Sequence, residues 1–93
     1  MGDRAYRAAP GDDLRIEALG ELTAIFDRRS MQTHLVVSPM PEILDAMGTD
    51  ACDARTIAGR LAARFDVEAE GDAPAIIADR LAELAAMGLV ATA

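Results

Sequence analysis

The stretch Ser30-Met31-Gln32-Thr33-His34-Leu35-Val36-Val37-Ser38-Pro39 decides the fold of this chain. It begins as a short apolar strand and ends at Ser38-Pro39, which is typical of a helix start, because serine accepts amide hydrogen bonds and proline tolerates the first turn. Residues before it have the pattern of strands and turns, and residues after it have the pattern of helices. The sequence therefore predicts an α+β fold in which a three-stranded antiparallel sheet precedes three helices, as in a winged helix-turn-helix.

Two further strands are predicted upstream of this stretch. Leu14, Ile16 and Ala18 alternate with charged residues, which indicates a half-buried strand, and residues 22–26 have the β-branched and aromatic content of a second strand. The third strand is predicted over Met31–Val37, with Thr33, Leu35 and Val37 on one face and Gln32, His34 and Val36 on the other. Residues 1–13 show no period and are predicted to be a flexible N-terminal tail, which leaves residues 14–93 as the folded domain.

Three helices are predicted over 39–47, 54–65 and 73–87. Gly48 and Gly88 follow the first and third helices, and Asp53 and Asp72 precede the second and third as caps. Leu89-Val90 is expected to pack back on the core. The residues predicted to form the apolar stripes of the helices are Met40, Ile43, Leu44 and Met47; Ile57, Leu61 and Phe65; and Ile77, Leu81 and Leu84.

Composition argues against several classes of function. The 93 residues fit one domain, and the net charge of −7 gives an overall field of the wrong sign for nucleic acid. No apolar run is long enough for a membrane span, and no signal peptide is seen, so no membrane partner is expected. The single cysteine, Cys52, fits a reducing cytosol, and the protein is expected to be cytoplasmic.

No residue pattern indicates catalysis, a cofactor or a metal. His34 is the single histidine, and one imidazole without nearby ligands does not hold a metal. Cys52 is interpreted as a small apolar residue in a turn rather than a nucleophile. A winged-helix transcription regulator is an alternative that charge disfavours, since the third helix carries one basic residue, Arg80. A purely structural, dimerising subunit is another alternative.

Five segments, taken in order along the chain, resemble segments of a known family. They are Phe26-Asp27-Arg28-Arg29-Ser30-Met31-Gln32-Thr33-His34-Leu35-Val36, Ile43-Leu44, Ala58-Gly59-Arg60-Leu61, Leu81-Ala82-Glu83-Leu84 and Gly88-Leu89-Val90. This order resembles the PqqD-type peptide chaperones, and the Ser-x-x-Thr-His-Leu element is most similar to the branch associated with HPr-kinase-related gene clusters. The resemblance covers roughly residues 14–91. Pro39 and Pro41 depart from it, because the family commonly has small helix-forming residues there.

The resemblance implies a non-catalytic recognition domain. Its members bind the leader region of a ribosomally made precursor peptide and present it to a modifying enzyme. The peptide adds as an antiparallel strand to the third strand and packs against the third helix. Carried over, and combined with a predicted groove lined by Leu35, Val37, Ile76, Ile77 and Arg80, the expected peptide-binding residues are Thr33, His34, Leu35, Val36, Val37, Ile76, Ile77 and Arg80.

The chemistry of strand addition is consistent with this expectation. Main-chain hydrogen bonds at a sheet edge require no special side chains, so no catalytic motif is needed. In the predicted groove, Arg80 is expected to pair with a carboxylate of the peptide. An open edge is also a pairing hazard, and homodimerisation through it, or by swapping the hairpin, is a second expected state.

Overall fold

The computed structural model describes residues 4–65 and 73–93. The predicted α+β class, with a three-stranded antiparallel sheet and three helices, is confirmed. The sequence also predicts an acidic loop over 66–71. That loop, the predicted cap Asp72 and the side chain of Phe65 lie outside what is described. In chain order the elements are β1 (Tyr6–Ala8), a 3-10 turn (Gly11–Asp13), β2 (Leu14–Leu19), β3 (Leu22–Asp27), β4 (Gln32–Val37), α1 (Met40–Met47), α2 (Ala54–Phe65), α3 (Ala73–Ala86) and β5 (Val90–Thr92).

Two turns fix the register of the β2-β3-β4 sheet. Leu19 pairs with Leu22 across a two-residue loop in which Gly20 has φ +67°, a conformation that glycine adopts without steric cost. The second turn ends at Met31, which has φ +62° and is 73% exposed. Strand β4 therefore begins at Gln32 rather than at Met31 as predicted, because a left-handed residue cannot continue the extended ladder.

The sheet has one face toward the core and one face toward solvent. Ile25 and Val36 are buried on the inner face, where helices pack. Strand β2 has no buried residue, and Ile16 is 54% exposed, so the prediction of a half-buried strand holds at most for Leu14. The reason is that the described core lies beneath β3 and β4 and reaches β2 only at Leu14. The outer face carries Arg15, Glu17 and Leu19; Leu22, Ala24 and Phe26; and Thr33, Leu35 and Val37.

Apolar stripes of the three helices build the core. The predicted residues of α1 and α3 are buried, as is Ile57 of α2, while Leu61 is half-buried and packs against the cluster. Leu89 and Val90 are buried after α3, as predicted. No helix in the described ranges is long and apolar enough to cross a bilayer. The largest fully buried side chains are Ile25, Ile43, Met47, Ile57, Leu81, Leu84 and Leu89.

Residues 4–13 are not the loosely held tail that the sequence predicted. Strand β1 pairs antiparallel with β5, and the Tyr6 side chain is buried. Backbone amides of Tyr6 and Cys52 donate to each other's carbonyls at 2.8 Å, and the Arg7 guanidinium donates to the Thr49 carbonyl at 2.7 Å. Three residues are too few to show a period, so only the long-range pairing with β5 defines this strand.

The two helix starts behave differently. The Asp53 carboxylate accepts the Thr56 amide at 2.8 Å, which confirms the predicted cap; backbone and side-chain hydrogen bonds from Thr56 lower the pKa of Asp53. Ser38 was expected to cap α1, but Pro39 occupies the cap position instead. The Ser38 hydroxyl therefore lies one residue too early and donates to the Glu42 carboxylate at 2.8 Å.

Candidate functional site

The candidate site is the open side of β4. Strand order in the sheet is β2-β3-β4, so β4 pairs with β3 on one side and with no other described strand on the other. Open edge strands present unpaired amides and carbonyls to solvent. The first expectation from the sequence, an accessible sheet edge formed by the third strand, is therefore met by the described residues.

Register shows which backbone groups point outward. The Arg28 amide donates to the Asp13 carbonyl at 2.8 Å, so Arg28 faces β2. The direction in which backbone amides and carbonyls point alternates from one residue to the next along a strand. The backbone groups of the neighbouring Asp27, and of every second residue of β3 from there, therefore point toward β4. The β4 partners of those residues are Gln32, His34 and Val36, and their backbone groups form hydrogen bonds with β3. The outward groups belong to Thr33, Leu35 and Val37, which we call the β4 edge.

The side chains of β4 divide between the two faces as predicted. Leu35 is 60% exposed and Val37 is 51% exposed on the outer face, beside the exposed Leu19 and Leu22. Val36 is buried in the core and His34 is half-buried on the inner face. Residues of an added strand would thus meet apolar side chains on the outer face and a histidine on the inner face.

The predicted groove is not assembled as expected. Leu35 and Val37 lie on the outer sheet face, whereas Ile77 is buried in the core on the inner side. Helix α3 packs mainly on α2, β5 and α1, and the helix against β4 is α1. Of the α3 residues proposed from sequence, Ile76 remains exposed. Side chains along β4 point alternately to the two faces of the sheet. The residues whose backbone groups are open, including Leu35 and Val37, have side chains on the outer face, which is the face away from the helices.

Three polar atoms near the helical layer have no hydrogen-bond partner among the described residues. They are His34 Nε2, Glu42 Oε1 and Arg80 Nε, and each is buried. The Arg80 Nη2 atom already pairs with the Glu83 carboxylate at 2.6 Å. A peptide carboxylate at Arg80 would therefore have to compete with Glu83. Buried polar atoms are normally satisfied, so these three are exceptions among the described residues.

An ion pair between the buried Asp27 and the partly exposed Arg29 anchors the start of β4. Asp27 is buried, and its carboxylate accepts two hydrogen bonds from the Arg29 guanidinium, at 3.0 Å from Nε and 2.9 Å from Nη2. Arg29 Nη2 also donates to the Gly88 carbonyl at 2.8 Å, which ties the turn to the segment before β5. The side-chain hydrogen bond from Arg29 lowers the pKa of Asp27, and the same bond raises that of Arg29.

Sequence reasoning missed this anchor. The pattern Asp27-Arg28-Arg29-Ser30 predicts a polar hairpin tip, in which Arg28-Arg29 forms either a solvent-exposed turn or a contact for an acidic partner. The structure assigns Arg29 to Asp27 and Gly88, while Arg28 is exposed in the turn. An acidic residue two positions before an arginine was the available signal, but Gly88 is 59 residues away and could not be inferred.

The remaining candidate groups are dispersed. Cys52 is buried against the backbone of β1, and no group of three or more His, Cys, Asp or Glu side chains within 4–65 and 73–93 is placed to hold a metal ion. Comparisons of the chain with protein-family models, with curated proteins and with solved structures find no match. The function must therefore be argued from the geometry of the site.

Proposed function

We propose that this protein binds the leader region of a ribosomally made precursor peptide by strand addition at the β4 edge and presents it to a peptide-modifying enzyme. It performs no chemistry itself and acts in the cytoplasm. The observation that carries the proposal is the open row of amides and carbonyls at Thr33, Leu35 and Val37. The resemblance to PqqD-type chaperones, including those of the HPr-kinase-related branch, supports the same assignment.

Energetics indicate how such binding would work. Three outward residues offer three amides and three carbonyls, and each hydrogen bond contributes about 0.5–1.5 kcal/mol net. Ordering the backbone of each peptide residue costs about 1–2 kcal/mol. These terms roughly cancel over a five- or six-residue strand, so backbone pairing sets the register and side-chain contacts set the affinity.

Side-chain contacts in the complex follow from the faces of β4. Peptide residues opposite Leu35 and Val37 would lie on the outer face and bury part of the exposed area of those two side chains. Peptide residues opposite His34 would lie on the inner face. The preferred peptide is therefore apolar at the alternate positions that face outward.

Lack of charge on β4 favours a binding role for this edge. Natural edge strands commonly carry charges that prevent pairing with other chains, yet Gln32–Val37 contains no Asp, Glu, Lys or Arg. A DNA-binding role has less support, because the one arginine of α3 pairs with Glu83 and the chain carries −7 overall. In a gel-shift assay at low salt we expect no complex with DNA.

Titration of the isotope-labelled protein with a synthetic leader peptide tests the proposal. The peptide is taken from a short precursor encoded beside the gene, and a scrambled version serves as control. Amide shifts are expected at Thr33, Leu35 and Val37, and at their inner-face neighbours to a smaller extent. Shifts confined to residues 4–13, or equal shifts with the scrambled peptide, would contradict the assignment.

The same edge also favours self-pairing as a competing state. Two copies joined antiparallel through their β4 edges would form one continuous six-stranded sheet. Leader peptide and self-pairing require the same backbone groups, so binding of the peptide should dissociate this dimer. Mass measured against concentration, with and without the peptide, distinguishes a chaperone from a subunit whose only role is dimerisation.

A further inference from the structure

The opposite edge of the sheet, formed by β2, also has open backbone groups. The Arg28 amide donates to the Asp13 carbonyl, and this bond fixes which residues of β2 face β3. Because the backbone direction alternates along a strand, the amides and carbonyls of Arg15 and Glu17 point toward β3, as those of Asp13 do. The residues that alternate with them must therefore point away from β3.

Ile16 and Ala18 have outward amides and carbonyls with no described strand beside them, and we call this pair the β2 edge. Leu14 has the same direction, but its amide is bonded to the Gly11 carbonyl within the 3-10 turn. Only the carbonyl of Leu14 is therefore open. A strand that paired with β2 would use the backbone groups of the β2 edge and this carbonyl.

The side chains of β2 are apolar on one face and charged on the other. Leu14, Ile16 and Ala18 lie on the inner face, where Ile16 is 54% exposed and lines a cleft of about 420 Å³ between β2 and α1. Arg15 and Glu17 lie on the outer face. Both are exposed, and neither forms an ion pair with a described residue. A pairing strand must therefore match an apolar row on one face and one charge of each sign on the other.

The segment Arg15-Ile16-Glu17 is complementary to itself. If two copies pair antiparallel with the twofold axis at Ile16, the two Ile16 residues exchange main-chain hydrogen bonds and their side chains meet on the inner face. Arg15 of each copy then lies directly opposite the partner's Glu17, at the type of position where cross-strand side chains approach most closely. Each Ala18 amide faces the partner's Leu14 carbonyl, which the 3-10 turn leaves open.

The charges also select this register over its neighbours. The two nearest registers that bring open backbone groups together place Arg15 opposite the partner's Arg15, or Glu17 opposite the partner's Glu17. Like charges directly opposite each other destabilise a strand pair, whereas opposite charges stabilise it. The second copy is therefore the occupant that this edge fits, because β2 itself carries, in the right order, the charges that it requires.

We propose that the protein forms a homodimer by antiparallel pairing of two β2 edges about Ile16, held in register by Arg15 and Glu17. The strand order of the joined sheet is β4-β3-β2-β2-β3-β4, so both β4 edges stay open at its far ends. The dimer is independent of the proposed function, because it uses neither the β4 edge nor a peptide. It also differs from self-pairing through β4, since a bound leader peptide would leave it intact.

Charge reversal at single positions tests the register. All chains carry Leu35→Lys, which disfavours pairing through β4, so the remaining dimer reports on β2. We expect Arg15→Glu and Glu17→Arg each to weaken dimerisation about ten-fold, because each variant places like charges opposite one another at both charge pairs. An equimolar mixture of the two variants should form a mixed dimer within about three-fold of the starting chain, since both pairs again join opposite charges. Sedimentation over a range of concentrations measures these affinities.

Arg28→Glu is the matched control for net charge. Arg28 is exposed in the turn between β3 and β4, and its reversal changes the net charge by the same amount as Arg15→Glu. Dimerisation should stay within about two-fold, because this position lies off the β2 edge. A general effect of net charge would instead move Arg15→Glu and Glu17→Arg in opposite directions. Equal weakening by Arg28→Glu and Arg15→Glu, or a mixture no stronger than its separate components, would overturn the proposal.

Amide hydrogen exchange locates the interface in the same Leu35→Lys chain. The amides of Ile16 and Ala18 should be better protected at high than at low protein concentration, whereas the outward amide of Thr33 on β4 should not change. A chain that stays monomeric throughout, or protection that grows at Thr33 and not at Ile16, would refute the β2 dimer. Leader binding at β4 is measured separately, so refuting the dimer leaves the proposed function standing, and the reverse also holds.

Discussion

The two edge strands of the sheet, β2 and β4, have six residues each but differ in charge and in the number of residues with open backbone groups. Strand β4 carries no Asp, Glu, Lys or Arg and leaves three residues open, whereas β2 carries Arg15 and Glu17 and leaves two open. The 3-10 turn also satisfies the amide at the start of β2. Charges on an edge strand restrict which chains pair with it. We therefore expect β2 to pair with fewer kinds of chain than β4 does.

The largest expected effect is a difference in the free energy of unfolding between proline substitutions at two adjacent positions of β4. Val36→Pro removes an amide that bonds to β3 and the packing of a buried side chain, which should lower the free energy of unfolding by about 2–4 kcal/mol. Leu35→Pro removes an outward amide and should cost less than about 1 kcal/mol. Urea denaturation of both variants measures the difference.

For binding of the leader peptide the order should be reversed, with Leu35→Pro having a larger effect than Val36→Pro. Leu35→Pro removes a donor from the β4 edge and should weaken the leader about ten-fold while the fold persists. If Leu35→Pro unfolds the chain and Val36→Pro does not, the outward register derived for β4 is wrong. If Leu35→Pro folds and binds the leader normally, the peptide does not use this edge.

Acid should loosen the β4 side of the sheet before the β2 hairpin. Pairing with Arg29 lowers the pKa of Asp27 from its ordinary value of 3.8, so the stabilisation is complete well above that value. It is lost as the pH falls through 3.8 toward the lower pKa of the folded state. Amide hydrogen exchange near Met31 and Gly88 should accelerate in that range. The increase in its rate should be larger than the increase at Gly20 in the β2-β3 turn.

Asp27→Asn is the control for this acid effect. The variant keeps the shape of the side chain but removes the charge that Arg29 binds, so it should be less stable than the parent chain at neutral pH. The difference between the two chains should shrink at low pH, where Asp27 of the parent is protonated. A constant difference across the pH range would show that the Asp27–Arg29 pair does not control the acid response.

The smallest expected effect is on self-association. Leu35→Lys places a charge beside the β4 edge at a side chain that is 60% exposed, so the free energy of unfolding should change by no more than about 0.5 kcal/mol. Dimerisation should weaken, whereas Leu19→Lys on β2 should leave it unchanged. Sedimentation of both variants over a range of concentrations tests this, and equal dimerisation of the two would contradict pairing through β4.

Local signals in the sequence predicted much of the fold. Apolar spacing identified the core stripes of α1 and α3, Asp53 and the glycines marked helix ends, and alternation placed Thr33, Leu35 and Val37 on one face. These features depend on neighbours within a few residues, so they can be read from the chain directly. That the sheet would have an open edge was expected from the order of the elements, whereas its assignment to the third strand came from the resemblance to PqqD-type chaperones.

Long-range contacts decided the rest. Pairing of β1 with β5, the bond from Arg29 to Gly88, and the position of α3 on the side of the sheet opposite Leu35 and Val37 join residues far apart in the chain. The sequence by itself determined that β2, β3, β4 and the three helices form, and which residues of α1 and α3 face the core. Only the tertiary structure decided which strand edges stay open and what lies beside them, because an edge is defined by the neighbour that is absent, and neighbours are chosen by packing of the whole chain.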